Sequence, residues 1–381
     1  MGDKVYPKLM DELKELGALN VSACYSCGVC TATCPLSEEG HEFPRRIIRY
    51  AVLGLKDRLL SSTEPWLCYY CGECTKTCPR GADPAGFMMA VRRYLTTQYD
   101  FTGFSKLLYK SKTIEVISAI ILFSLTVLGI YLIHGPIILT GVDLNTFLSP
   151  HLVETVDKTM MVILSLLLLV NIYRMYRFTV RINDGGKLPF TTYVLEFIKT
   201  VVTHFLTQKR MLKCSDNVLN WAMHILIVYG YATVFILVVI FLDLFQTNIM
   251  YPVNNPIRLA GYIAAAALIA GSGYGIYGRI RKNTIMRQYS HHTDWMFIIL
   301  IFLLAVTGVL VDVFKYLGLP METYITYAIH LSLEPPFVIL MIPFGKWSHL
   351  AYRPFAIYFT RLNDLARKKP LEVVGSDSIK I

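Results

Sequence analysis

Cys24-Tyr25-Ser26-Cys27-Gly28-Val29-Cys30-Thr31-Ala32-Thr33-Cys34-Pro35 and Cys68-Tyr69-Tyr70-Cys71-Gly72-Glu73-Cys74-Thr75-Lys76-Thr77-Cys78-Pro79 carry one spacing twice, C-x2-C-x2-C-x3-C-P. Three thiols at intervals of three wrap a short loop around one iron–sulfur cube. The fourth falls on the next helical turn and faces the other cube. The spacing therefore assigns Cys24, Cys27, Cys30 and Cys78 to one [4Fe–4S] cluster. It assigns Cys68, Cys71, Cys74 and Cys34 to the other. Gly28 and Gly72 permit the tight loop, and Pro35 and Pro79 set its exit. Structural zinc is the competing reading, but zinc takes four ligands in paired C-x2-C units, without a trailing proline.

Working outward, the residues between the motifs, Phe43–Leu60, have a helical pattern. An α-helical ferredoxin domain is expected over residues 1–111, not the small β-containing kind. The basic run Arg45, Arg46, Arg49 suits either a partner or solvent. The ninth cysteine, Cys214, stands apart from both motifs and reads as a structural thiol. Such grouping is foreign to secreted disulfide proteins. The charged start of the chain has no apolar core of a signal peptide. A reducing cytoplasm is expected for the cysteines.

Composition changes near Lys112. Of the 381 residues, 54% are hydrophobic and 17% charged, which points to a membrane protein. Six spans are expected, near Ile114–His134, Lys158–Arg177, Val218–Phe245, Ile257–Ile280, Trp295–Tyr316 and Thr323–Phe344. These make a membrane domain over 112–360, followed by a tail over 361–381 that reads as disordered from Arg367. The formal charge of +10 is explained by basic loops on one membrane face, so nucleic acid is not an expected partner. Arg174, Arg177, Arg181 and Lys187 follow span two; Lys209, Arg210 and Lys213 precede span three. Arg279, Arg281, Lys282 and Arg287 follow span four, and Lys346, Arg353 and Arg361 follow span six. The opposite loops, 135–157 and 246–256, contain no Lys or Arg. Both termini and the clusters are expected on the cytoplasmic side of the cell membrane. Phe190–Met211 reads as an amphipathic helix at that interface, with Val194, Phe197, Ile198, Val201, Val202 and Phe205 apolar.

Histidines within such spans are candidates for bis-histidine haem b. His224 and His349 stand at matching cytoplasmic depth and suit one haem. His330 lies 19 residues before His349, about 28 Å along a continuous helix, where a second haem belongs. His134 or His151 is its candidate partner; alternatively His330 is an interhelical hydrogen-bonder and one haem is bound. His291 and His292 read as interfacial, and His41 and His204 as surface residues. Glu334, one turn after His330, is a candidate proton acceptor for a quinol, with Pro335 and Pro336 kinking the helix beside it. Its alternative is a buried carboxyl hydrogen-bonded to a neighbouring helix. Asp243 and Asp312 read as interfacial. Gly271-Ser272-Gly273-Tyr274-Gly275 sits in an apolar helix with no preceding strand, so it serves packing against a helix or haem and not nucleotide binding.

With these residues in hand, the cysteine half resembles the iron–sulfur C subunit of heterodisulfide reductases. The membrane half resembles the cytochrome b subunits of nitrate reductase and methanogen heterodisulfide reductase, including the Pro-Phe-x4-His run ending at His349. The fusion resembles the C subunits of the quinone-interacting membrane-bound oxidoreductase complexes of sulfate reducers. The resemblance implies an all-α fold, a two-cluster ferredoxin joined to a six-helix cytochrome b bundle. It implies menaquinol as substrate and cytoplasmic flavoprotein and iron–sulfur subunits A and B as partners, linked onward to adenylylsulfate reductase. Two departures stand out. Val234 occupies the position of a second haem histidine in the nitrate reductase pattern, and the Cys-Cys-Gly motif of disulfide-reducing subunits is missing. The remaining readings are the membrane arm of a heterodisulfide reductase and a haem-free membrane anchor.

Overall fold

The apolar runs and the doubled motif both fold as helix. The computed structural model describes residues 4–38, 41–180, 188–214 and 218–368. Arg181, Lys187 and the tail beyond Lys368 lie outside the described residues. Among the described residues there is no strand, only an isolated bridge between Glu38 and His41. The architecture is all-α.

The described chain parts into two compact units, with bounds unlike a contiguous division at residue 111. One contains residues 1–106, 169–216 and 348–381; the other contains 107–168 and 217–347. They are called here the cysteine unit and the bundle unit. Part of span two and the helix His349–Lys368 thus belong with the cysteines.

In the cysteine unit the central element is the helix Pro84–Tyr99. Asp83 caps it by accepting from the Gly86 amide at 3.1 Å, with Pro84 at its first position. Phe87, Met88, Val91, Tyr94 and Leu95 are all buried along it. The expected helix over 43–60 is two pieces, Arg45–Val52 and Lys56–Leu60, separated by Gly54 at φ +68°. A left-handed residue ends a helix, which divides the run. Arg46 turns inward to Glu42 and Glu64, while Arg45 and Arg49 stay exposed.

The C-terminal helix His349–Lys368 docks through an aromatic cluster. Tyr352 lies 5.5 Å from the Trp66 ring and 5.4 Å edge-on from Tyr99, and all three are buried. Its far end is held by His41, whose Nε2 is 2.9 Å from Asp364 Oδ2. His41 is therefore not a free surface residue. The hydrogen bond with Asp364, and the Glu64 carboxylate 3.8 Å from Nδ1, raise its pKa to about 9.

The segment after residue 188 is amphipathic as expected, but its polar side faces in. It runs as Phe190–Thr200, a π turn Val201–Leu206 and a 3-10 turn Lys209–Cys214. Glu196, Thr200 and His204, four residues apart, are buried; Val194, Phe197, Ile198 and Val202 are exposed. Glu196 pairs with Lys199 at 2.8 Å and with Arg361 at 3.5 Å. His204, expected at the surface, is instead 4% exposed, and burial pushes its pKa down to about 4.

Among the described residues, six helices are long and apolar enough to cross a membrane: Lys112–Ile133, Pro150–Thr179, Val218–Phe245, Pro256–Arg281, His292–Tyr316 and Pro320–Met341. Span two begins eight residues before its expected start because Pro150 opens the helix, which brings Asp157 inside it. Span six is not one α-helix. It passes from α-helix at Pro320–Pro335 to a π turn at Pro336–Met341, because two successive prolines remove two backbone donors. A ruler of 1.5 Å per residue from His330 to His349 therefore does not apply.

The cysteine unit can be tested at its aromatic cluster and at His41. Tyr352→Ala empties an aromatic site and should cost about 3–5 kcal/mol, seen as a lower melting midpoint of the detergent-solubilised chain. His41 has a folded pKa of about 9 against 6.5 unperturbed. Its raised pKa stabilises the fold fully below pH 6.5, and that contribution is lost as pH rises through about 9. His41→Gln should flatten the fall in melting midpoint across this window, and an unchanged slope would refute the assignment.

Candidate electron-transfer site

Each motif forms the same local structure. Gly28 and Gly72 sit at φ +94° and +85°, a region open to glycine, at the heads of short turns of helix. Ser26 and Tyr70, at equivalent positions, are also left-handed. Their amides point at sulfur: Ser26 N to Cys24 Sγ at 3.4 Å and Tyr70 N to Cys68 Sγ at 3.3 Å. The Ala82 amide reaches Cys78 Sγ at 3.4 Å. The two motifs meet at matching threonines, Thr33 Oγ1 and Thr77 Oγ1, 3.2 Å apart.

The thiols gather crosswise. Cys34 lines one recess with Cys68, Cys71 and Cys74 of the other motif. Cys78 joins Cys24 and Cys27 as neighbours of Cys30. Cys30 and Cys74, one from each motif, pack in one buried cluster with Ala85. Among the described residues no three His, Cys, Asp or Glu side chains converge on a single metal ion.

The donor set suits a polynuclear, positively charged core. Burial raises the pKa of Cys30, of Cys34 to about 11, of Cys68 and of Cys74, and neighbouring thiolates raise them further. Sulfurs held this way carry charge only against bound cations, which iron supplies. Cys71 departs from the pattern: the neighbouring Cys214 thiol holds it below the usual thiol range.

Two guanidiniums stand behind the second group. Arg92 and Arg353 both donate to the Cys68 carbonyl, Arg353 Nη2 at 3.2 Å. Arg353 also lies on the Tyr69 ring, 3.3 Å from its centroid, and Arg92 over Trp66 at 5.6 Å. A thiolate-bound cluster is anionic, so cations here lower the work of adding an electron. The sequence named Arg353 only among the basic residues after span six and did not single out Arg92, since their meeting at Cys68 depends on how the two helices pack.

In the bundle unit, His330 Nδ1 is 2.9 Å from Thr307 Oγ1, and its ring packs where a Gly308 side chain would lie. This is the setting of the interhelical hydrogen-bonder. His134 caps the first span, its Nδ1 2.7 Å from the Gly135 carbonyl and its ring stacked on Phe147 at 5.4 Å. His151 is exposed. His224 is half-buried in Val218–Phe245, in the bundle unit, whereas His349 opens His349–Lys368 in the cysteine unit. His292 Nδ1 pairs with the buried Glu115 at 2.6 Å.

Glu334 is half-buried where the α-helix ends, within electrostatic reach of Asp157 of span two. No described residue hydrogen-bonds it. Tyr327, two turns earlier, feels both carboxylates, and its buried Oη has no hydrogen-bond partner among the described residues. Asp312 is not merely interfacial: it pairs with Arg258, 2% exposed, at 2.6 Å. The small residues of span four serve helix packing. A side chain at Gly271 would meet Ile227 and the Met223 carbonyl, and one at Gly230 the Ala264 carbonyl.

Residues 20–82 match the description of a 4Fe-4S dicluster domain. A heterodisulfide reductase C-subunit-like protein of Archaeoglobus profundus is 39% identical over 93 residues, 24% of this chain and 50% of that protein. The iron-sulfur C subunit of the CoB–CoM heterodisulfide reductase of Methanopyrus kandleri is 38% identical over 69 residues, 16% of this chain and 36% of that one. The E subunit of the dihydromethanophenazine:CoB–CoM heterodisulfide reductase of Methanosarcina thermophila is 27% identical over 180 residues, 42% of this chain and 65% of that one. The chain thus spans about half the length of the first of these relatives and under two thirds of the others. No solved structure matches. The chain joins a 4Fe-4S dicluster domain, similar to the C subunit of heterodisulfide reductase, to six helices able to cross a membrane.

Proposed function

We propose that this chain is the membrane electron-transfer subunit of an oxidoreductase complex. It oxidises menaquinol and delivers the electrons through its clusters to cytoplasmic flavoprotein and iron–sulfur subunits. From there they pass toward adenylylsulfate reductase in sulfate respiration. The observation that carries the reading is the crosswise gathering of two thiol quartets on a chain with six apolar spans. Cys24, Cys27, Cys30 and Cys78 ligate one [4Fe–4S] cluster; Cys68, Cys71, Cys74 and Cys34 ligate the other. When bound, these clusters take and release single electrons. The one-sided basic loops support a cytoplasmic position for them.

The quinol site is placed by this reading at Glu334, Asp157 and Tyr327. Quinol oxidation releases two electrons and two protons. Glu334 takes a proton on its carboxylate, with Asp157 as the neighbouring acceptor. Tyr327 Oη is a donor for the quinone carbonyl. The π turn after Pro335 supports the reading, because such turns open the backbone ladder and occur at functional sites. The haem b proposal rests on the resemblance: His224 and His349 remain its ligands, with His330 and His134 as the second pair. The setting of His330 favours one haem over two.

A second reading is kept because a relative's name includes dihydromethanophenazine. In that reading the lipid-soluble donor is a phenazine, and the chain is the membrane arm of a heterodisulfide reductase complex. Supplying each reduced carrier to the purified chain separates the two.

An iron and haem count with a quinol-driven reduction spectrum tests the proposal. Two clusters and a reducible b-type absorbance are expected; without that absorbance the haem route fails and an anchor remains. Glu334→Gln should slow menaquinol-driven reduction by about 10²-fold while leaving dithionite reduction intact. An unchanged rate removes Glu334 from the site. Cys34→Ser should damage the cluster built mainly from the second motif. Loss of the cluster on Cys24, Cys27 and Cys30 instead would overturn the crosswise ligation.

A further inference from the structure

Eight of the nine cysteines belong to the motifs, and the ninth lies beside one of them. Cys214 closes the 3-10 turn Lys209–Cys214 and is 5% exposed. It lines the same recess as Cys34, Cys68, Cys71 and Cys74. Its thiol is therefore a neighbour of the Cys71 sulfur in that lining. An independent feature fixes the turn there: Arg210, four residues earlier, forms an ion pair with Glu38, just past the exit of the first motif. The sequence has no tenth cysteine, so the first quartet has no such neighbour.

We propose that Cys214 is a positioning residue for the second cluster, donating its S–H to the Cys71 thiolate and raising that cluster's reduction potential above that of the first. The inference rests on the ligation proposed above. The physical reason is charge. Adding one electron increases negative charge on the ligand sulfurs, and a donor aimed at one of them stabilises the reduced form more than the oxidised form. Hydrogen bonds to sulfur are among the determinants of cluster potential. The cluster side of Cys71 is set by the motif, while Cys214 approaches from a segment far along the chain. Cys214 therefore makes two clusters of identical motif unequal, and the electron rests on the second.

The test is a redox titration of the purified full-length chain followed by electron paramagnetic resonance, with iron counted in parallel. The signal that Cys34→Ser perturbs identifies the second cluster. In Cys214→Ala the reduced-to-oxidised ratio of that cluster, at the wild-type midpoint, should fall about tenfold, equivalent to about 59 mV for one electron. The first cluster should not move, and iron should stay at the wild-type level. Cys214→Ser keeps a hydroxyl donor and should recover part of the shift. No shift in Cys214→Ala, or an equal shift in both clusters, overturns the proposal. So does loss of half the iron in both variants, which would make Cys214 a ligand. A wild-type chain lacking the second cluster would instead refute the underlying ligation, a separate result.

Discussion

The exchange of fourth cysteines between the two motifs is the constraint on which the cysteine unit depends. Cys34 leaves its own loop to stand with Cys68, Cys71 and Cys74, and Cys78 stands with Cys24, Cys27 and Cys30. Neither group of four is complete without both segments. The residues between the motifs must then fold back on themselves, and the break at Gly54 lets them do so. The Thr33–Thr77 contact marks the place where the halves meet.

Burial of so many sulfurs is unfavourable unless charge is answered. The chain answers it with local amides, at Ser26, Tyr70 and Ala82, and with distant cations, at Arg92 and Arg353. Tyr352 and Arg353 are neighbours, so the helix that seals the aromatic cluster also delivers a guanidinium to the Cys68 carbonyl. The helix is fixed by packing, and the electrostatics come with it. The same logic governs Phe190–Thr200. Its line of Glu196, Thr200 and His204 is buried inside the unit, where Glu196 pairs with Arg361, which leaves an apolar face outside.

In the bundle unit the polar groups divide by purpose. Arg258 and Asp312 satisfy each other, as do His292 and Glu115. His330 is engaged with Thr307. Glu334 and Tyr327 are different, half-buried or buried without a hydrogen-bonding residue beside them, at the point where two prolines end an α-helix. Unanswered polar groups at depth are costly, and they are the natural place to seek a polar substrate headgroup.

The sequence by itself determined the all-α class, the two iron–sulfur motifs and the six apolar runs. Each is a local pattern: a ligand spacing, a helical period or a length measured against a bilayer. It also marked Glu334 and its prolines. It misread His41 and His204 and did not show the Arg258 partner of Asp312, because a side chain's surroundings are set by segments remote in the chain. Asp364 is 323 residues from His41. Only the tertiary structure decided that residues 169–216 and 348–381 share a unit with the cysteines. Only it turned the amphipathic helix polar side inward, drew Arg92 and Arg353 to Cys68, and carried Cys214 to the recess of a motif that ends at Pro79. Spacing fixes which thiols act together within a loop; what stands behind them depends on how distant helices pack.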